Sequence, residues 1–163
     1  MMCAMSTSLS HELTYDAPLA RVAAMLTDAT FRTSVYDAQR ATSCDVTATG
    51  TTQSGEVSID YTLPTIGLPS FAKKIVGDGV RIVQREQWAG DKASLHLTIP
   101  GKPGEVSGTI TLTESGGVTL ETVSCEIRVT MPLVGGKVER LIEEMLLKSL
   151  RKENRVGQEW LAR

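Results

Sequence analysis

The last thirty residues of the chain carry apolar side chains at helical spacing. Between residues 133 and 162 the apolar positions recur every three or four residues, as they do on one face of an amphipathic helix. They are Val138, Leu141, Ile142, Met145, Leu146, Leu150, Val156, Trp160 and Leu161. The opposite face carries charges of alternating sign, which are typical of a solvated surface. The pattern predicts one long helix, about 45 Å from end to end at a rise of about 1.5 Å per residue.

Most of the chain before this helix alternates between apolar and polar residues, which is the pattern of strands with one buried face. Strands are predicted at 8–15, 41–49, 55–63, 80–88, 92–99, 105–113 and 118–131. Two short helices follow the first strand, at 19–26 and 29–38, with Asp16 as the predicted N-cap of the first. A short amphipathic segment at 70–76 lies between the third and fourth strands. We therefore expect a curved antiparallel sheet whose apolar face packs on the long helix.

The length of the chain limits it to a single domain. Its 163 residues can bury a substantial core, and 41% hydrophobic and 22% charged residues are ordinary for a globular protein. No internal repeat, linker or low-complexity segment divides the sequence. We predict one α+β domain over residues 8–162, preceded by a disordered lead-in at 1–7.

Charge and hydropathy argue against two classes of partner. The net charge of −2 gives no reason to expect a nucleic-acid partner, because nucleic-acid binding favours a clustered basic face. The apolar runs fall short of the ~18–20 residues needed to span a bilayer. Lys73 and Lys74 are too few charges for stable membrane anchoring. Residues 1–10 lack the basic and apolar regions of a secretory signal, so we expect a cytoplasmic protein. We also expect the protein to be monomeric or weakly dimeric.

The cysteines and histidines give little support for a metal site. Cys3, Cys44 and Cys125 form no C-x-x-C motif and are odd in number, so we expect reduced thiols. A zinc site would need further closely spaced ligands, and the sequence has only His11 and His96. We expect neither a metal nor a cofactor.

The order of elements, together with four local motifs, resembles the helix-grip fold of the START-like (SRPBCC) superfamily. The motifs are Phe-Ala-Lys-Lys-Ile-Val-Gly-Asp at 71–78, Gln-Trp at 87–88, Pro-Gly-Lys-Pro-Gly-Glu-Val-Ser-Gly-Thr at 100–109, and Met-Pro-Leu-Val-Gly-Gly-Lys-Val-Glu at 131–139. They are similar to an uncharacterised bacterial family of START-like domains. The resemblance implies a cavity between sheet and helix that opens near the segment between the third and fourth strands. It brings no established catalytic residues.

The composition fits such a cavity. Only 4% of the residues are aromatic, and small residues fall on the inward faces of several strands. Small molecules usually occupy pockets of about 300–1,000 Å³, and an under-filled core would leave room for one. The alternative is that the small residues let the helix pack closer to the sheet.

The strand at 80–88 supplies the most informative candidate residues. Gln84, Glu86 and Trp88 alternate in phase with Val80 and Ile82, which directs them toward the predicted cavity. Glu86 would then bind a ligand hydroxyl or act as a general base. The alternatives are that a bulge places Glu86 in water or that it pairs with an arginine. Trp88 either belongs to the core and rim or forms a platform for a ligand.

Two further polar candidates lie on other strands. The hydroxyl of Tyr61 points into the same cavity, or else Tyr61 is a core tyrosine with a satisfied hydroxyl. His11 is in phase with apolar residues of the first strand, whereas His96 is out of phase and is predicted to face solvent. No Ser-His-Asp or Cys-His combination can be assembled from the sequence.

Apolar candidates come from the segment 64–79 and from the long helix. Gly residues permit hinge motion in this segment, so it either covers the cavity entrance as a lid or forms an ordinary packed connection. We expect Phe71 and Ile75 of the segment, and Met145 of the helix, to contact a ligand.

These residues support three functional hypotheses. The first is a non-catalytic protein that binds a small hydrophobic molecule, such as a lipid, an isoprenoid or a polyketide-like compound. The second is a cyclase or hydratase that uses Glu86 or His11 as base and Tyr61 as proton donor. The third is an interaction or chaperone-like module whose groove receives a partner. The sequence favours the first, because no catalytic set is evident.

Overall fold

Seven strands form one antiparallel sheet, and a long helix crosses its inner face. The computed structural model describes residues 6–51 and 53–163. The strands are β1 (Thr7–Tyr15), β2 (Ser43–Gly50), β3 (Gly55–Pro64), β4 (Gly79–Ala89), β5 (Lys92–Thr98), β6 (Gly104–Ser115) and β7 (Val118–Val129). The helices are α1 (Leu19–Leu26), α2 (Ala29–Ala38), α3 (Ser70–Val76) and α4 (Gly135–Leu161). This architecture confirms the predicted fold.

The strand order is β1-β7-β6-β5-β4-β3-β2. The chain leaves β1 at one edge, passes through α1 and α2, and enters the opposite edge at β2. It then returns strand by strand until β7 pairs with β1. The register places Glu86 of β4 between Val57 and Leu95, and Glu121 of β7 between Leu13 and Leu112. Both carboxyl groups therefore lie on the apolar inner face.

Helix α4 approaches the sheet closely near its two ends. A Cβ atom on Gly135 would lie 2.8 Å from the carbonyl oxygen of Val129, and one on Gly157 would lie 2.6 Å from Cε1 of Tyr15. Both positions therefore need glycine for the helix to contact the sheet. Between them the apolar stripe is only half-buried, as at Met145. The middle of the helix consequently stands away from the sheet.

The predicted element boundaries differ from the observed ones in a few places. Asp16 does not cap α1, because the helix begins after Pro18 and has no side-chain cap. Asp28 instead caps α2, where its Oδ1 accepts a hydrogen bond from the backbone N–H of Phe31 at 3.0 Å. Of the predicted lead-in, residues 1–5 and with them Cys3 lie outside the described residues, while Thr7 already belongs to β1. No helix in the described ranges is long and apolar enough to cross a membrane.

Candidate functional site

An apolar cavity of about 80 Å³ lies where α4 stands away from the sheet. Strands β3 to β6 form its wall, the middle of α4 covers one side, and α3 with the loop before it covers another. The lining residues are Tyr61, Leu63, Leu68, Ala72, Ile75, Val76, Val80, Ile82, Leu97, Ile99, Gly104, Glu105, Val106, Val138, Leu141, Ile142, Met145, Leu146 and Ser149. The cavity is smaller than the few hundred ångström cubed that we expected for a ligand pocket, because α3 packs into its mouth.

A second cavity of about 30 Å³ adjoins the first and is polar on one side. The two share Leu97, Val106, Leu146 and Ser149 in their linings. The polar side is built from six side chains, namely Arg32, Tyr36, Gln84, Glu86, Glu121 and Glu153. Since one water molecule needs about 10–15 Å³, the space is large enough for about two waters or for the end of a ligand.

Arg32 and Glu86 form a buried ion pair at the centre of this polar side. Arg32 of α2 is 3% exposed and Glu86 is completely buried. Nη2 of Arg32 lies 2.5 Å from Oε2 of Glu86, and Nη1 lies 3.4 Å from Oε1. Gln84 Nε2 and Trp88 Nε1 also donate to Glu86, at 2.6 Å and 3.1 Å. Both carboxylate oxygens are therefore occupied, so the arrangement is the arginine pairing considered above rather than a general base open to a substrate.

Two more buried carboxyl groups lie near this pair. Oε1 of Glu121 accepts a hydrogen bond from the Tyr15 hydroxyl at 3.3 Å. Oε1 of Glu153 lies 3.6 Å from Nη1 of Arg32 and has no hydrogen-bond partner among the described residues. Burial, and secondly the charge of Glu153, raise the pKa of Glu121 well above its ordinary value. Burial also raises the pKa of Glu153, against the opposing effect of Arg32.

The polar side thus contains three carboxyl groups and a single guanidinium group. With the Arg32–Glu86 pair neutral as a unit, no further positive side chain is available for Glu121 and Glu153 in the lining, as far as the structure describes it. Hydrogen-bond acceptors consequently outnumber donors. Even so, no group of His, Cys, Asp and Glu side chains in the described parts of the chain is arranged to hold a metal ion.

Two stacked tyrosines link the polar and the apolar cavity. The rings of Tyr36 and Tyr61 lie 4.1 Å apart between centroids at an angle of 32°. The Tyr36 hydroxyl donates to Oε1 of Gln84 at 3.3 Å. Burial raises the pKa of both phenols, so both remain protonated at neutral pH. Tyr61 lines the apolar cavity and Tyr36 lines the polar one.

The predicted site residues do not all meet at one place. Tyr61, Ile75 and Met145 line the apolar cavity, while Gln84 and Glu86 line the polar one. Trp88 is buried beside Glu86 but lines neither cavity. His11 on β1 and Phe71 on α3 are half-buried, and they also line neither cavity. Nζ of Lys137 instead lies over the ring of Phe71, 4.8 Å from its centroid, in a cation–π contact. His96 is exposed, as its phase predicts.

Arg32, Glu121 and Glu153 were not among the site residues predicted from the sequence. A signal for the two glutamates is present, because each occupies a position that its element's periodicity reserves for an apolar residue. Glu121 alternates in phase with the apolar residues of β7, and Glu153 lies on the apolar stripe of α4 three residues after Leu150. Arg32 is four residues before the buried Tyr36 on the inner face of α2.

Solved structures of several proteins share this architecture. The protein TTHA0849 of Thermus thermophilus has 16% sequence identity and a TM-score of 0.65, covering 94% of this chain and 95% of its own. The Zhui aromatase/cyclase of Streptomyces sp. R1128 has 11% identity and a TM-score of 0.59, covering 95% and 90%. A START superfamily protein of Mycobacterium smegmatis has 17% identity and a TM-score of 0.59, covering 93% and 97%. At these identities the likeness establishes a START-like helix-grip fold.

Comparison at the level of sequence identifies the family. No curated protein matches the chain significantly. One family model does match, over residues 10–161, and its members are described as proteins of unknown function. Because this match spans nearly the whole chain, the protein belongs to the DUF2505 family.

Proposed function

We propose that the protein binds a small hydrophobic molecule, such as a lipid, an isoprenoid or a polyketide-like compound, between the sheet and α4. The observation that carries this proposal is the half-buried middle of the α4 stripe. Its apolar residues touch the core but are only half-buried, and they form one wall of the cavity. A ligand that filled the cavity would remove this apolar surface from water, at about 25 cal/mol for each Å² buried. Structural neighbours that include an aromatase/cyclase and a START superfamily protein support the proposal.

Helix α3 is the element that controls the size of the cavity. It has seven residues and covers the mouth with Ala72, Ile75 and Val76. In the described part of the chain no side-chain hydrogen bond or salt bridge joins the residues of α3 to the sheet or to α4. Its contacts are apolar, apart from that of Lys137 with the Phe71 ring. A ligand too large for the cavity would therefore enter by displacing α3.

The experiment is a ligand screen by thermal shift and native mass spectrometry over fatty acids, isoprenoids and aromatic polyketides. A ligand present at about 100 times its Kd raises the free energy of unfolding by about 2.7 kcal/mol. The Ala72→Phe variant places a phenyl ring in the cavity mouth and should abolish binding. The same substitution at Ala24, which is exposed on α1, is the matched control. A blank screen, or binding that Ala72→Phe leaves unchanged, would contradict the proposal.

The geometry supports binding over catalysis. The cyclase or hydratase hypothesis requires at least two of Glu86, His11 and Tyr61 to converge on one reacting point. Glu86 is fully occupied by its partners, and His11 lines neither cavity. Among the described residues the exposed large hydrophobic side chains are isolated ones, such as Ile66 and Leu133, which gives a groove for a partner protein little support.

A further inference from the structure

In the polar cavity, one buried acceptor has no hydrogen-bond donor among the described residues. Oε1 of Glu153 is buried, lies in the lining of that cavity, and has no hydrogen-bond partner among the described residues. Its nearest positive group, Nη1 of Arg32, is 3.6 Å away and already donates to Leu26 O and to Glu86. Since a buried acceptor without a donor costs free energy, the site is incomplete until something donates to this oxygen.

The unpaired oxygen lies where a ligand in the apolar cavity would end. Leu146 and Ser149 of α4 line both cavities, so the two cavities are neighbours along this helix. Glu153 follows Ser149 by one helical turn on the same helix face. A molecule lying along α4 with its apolar part beside Met145 would therefore place its far end against Glu153.

The charges that line the two cavities define the chemistry of that end. Glu86, Glu105, Glu121 and Glu153 are acidic, and Arg32 is the one basic residue in either lining within the described chain. Arg32 is held by Glu86 in two hydrogen bonds. A ligand carboxylate would meet a cation that is already paired, so its negative charge would be buried without a free positive partner among the described lining residues. A ligand group that donates a hydrogen bond would instead find the acceptor oxygen of Glu153.

From these observations we infer that the ligand has an apolar body and a buried end that donates a hydrogen bond to Glu153, that is, an amine or a hydroxyl group rather than a carboxylate. This inference rests on the proposed binding function and names the class of its ligand. An ammonium group would bind an ionised Glu153, whereas a hydroxyl group would bind either form of it, because both keep an acceptor oxygen.

The test compares four probes with unbranched alkyl chains of seven or eight carbons, measured by isothermal titration calorimetry and native mass spectrometry. They are octylamine, octan-1-ol, sodium octanoate and methyl octyl ether, whose oxygen accepts but does not donate. We expect the amine or the alcohol to bind at least tenfold more tightly than both the octanoate and the ether. An octanoate or ether that binds as tightly as the better donor would overturn the inference while leaving the proposed binding function intact. Absence of binding by all four probes would overturn both.

Two variants of Glu153 locate the donor's partner. Glu153→Met removes the acceptor, and donor binding should weaken about ten- to a hundredfold, as expected for one buried hydrogen bond to a charged group. Glu153→Gln keeps an acceptor but removes the charge, so it should weaken the amine and spare the alcohol. Glu144→Met, exposed on the same helix, is the control and should change nothing. Donor binding that Glu153→Met leaves unchanged would overturn the inference, and if that variant does not fold, the probe comparison on the unmodified protein decides it.

Discussion

Replacement of Arg32 by Met tests whether the buried ion pair organises the polar side of the cavity. Arg32 compensates Glu86, which is completely buried, and it is the nearest cation to Glu153. The Met side chain is similar in length to that of Arg, but it is apolar and carries no charge. The substitution therefore leaves buried carboxyl groups uncompensated while it creates little empty space.

The expected loss of stability follows from the burial of the pair. Removing one partner of a buried ion pair typically costs about 3–5 kcal/mol, because the other charge stays desolvated. For a domain of this size each kcal/mol lowers Tm by about 2–4 °C. Arg32→Met should therefore lower Tm by about 6–20 °C. The exposed pair of Arg81 and Asp60 offers a matched control, because Arg81 also binds its carboxylate with two nitrogens, Nε and Nη2, but at the surface.

The assay is urea unfolding of a double-mutant cycle, followed by circular dichroism. Arg32→Met and Glu86→Gln should each destabilise, and the double variant should be more stable than the sum of the two losses predicts, by about 0.5–3 kcal/mol. Arg81→Met should cost much less than Arg32→Met, because water screens the exposed pair. If Arg32→Met costs no more than Arg81→Met, or if the cycle is additive, the ion pair does not organise the site and the reasoning is wrong.

Three further predictions concern single positions. Gly157→Ala should destabilise the protein, because its Cβ would lie 2.6 Å from Cε1 of Tyr15. Gly136→Ala on the same helix should stabilise the protein by about 0.5–1 kcal/mol, because its Cβ would have no described atom within 4 Å. Thermal unfolding of both variants compares these effects. The raised pKa of Glu121 means that its contribution is complete below the unfolded-state pKa of about 4.3 and is lost as pH rises through the folded-state pKa. Glu121→Gln should therefore flatten the fall in urea midpoint as the pH rises above the unfolded-state pKa, and an unchanged slope would contradict this. Burial raises the pKa of Cys125 to about 11, so mass spectrometry should find this thiol unmodified by a thiol reagent until the protein unfolds.

The fold could be predicted because its elements repeat one simple pattern. Each strand alternates and α4 has one apolar stripe, so the elements and their buried faces follow from periodicity. The same rule correctly directed Gln84 and Glu86 inward. The prediction of Asp16 as the N-cap of α1 was wrong. The N-cap position falls at Pro18, which offers no side-chain cap.

The site could be predicted only in part, because its residues come from elements far apart in the sequence. Arg32 lies on α2, whereas Glu86, Glu121 and Glu153 lie on β4, β7 and α4. Periodicity shows that each glutamate faces the core, but it does not show that the three meet, nor that an arginine from α2 reaches them. The size of the cavity depends on how deeply α3 packs, which a seven-residue amphipathic segment does not reveal.

The polar cluster stabilises the fold less than apolar side chains in its place could, and this suggests that the cluster has a function. Replacing a buried ion pair by well-packed apolar residues is often neutral or stabilising by about 1–4 kcal/mol. The polar side of the cavity nevertheless buries three carboxyl groups, one of them with an oxygen that lacks a donor among the described residues, beside an apolar space that side chains could have filled. Structural neighbours at 11–17% identity establish the sheet and the helix and leave the chemistry of the site open. Since Glu86 already neutralises Arg32, a second carboxyl group beside it adds little to folding. The position of Glu153 on the apolar stripe of α4 therefore favours the proposal that the polar end of the cavity selects the ligand.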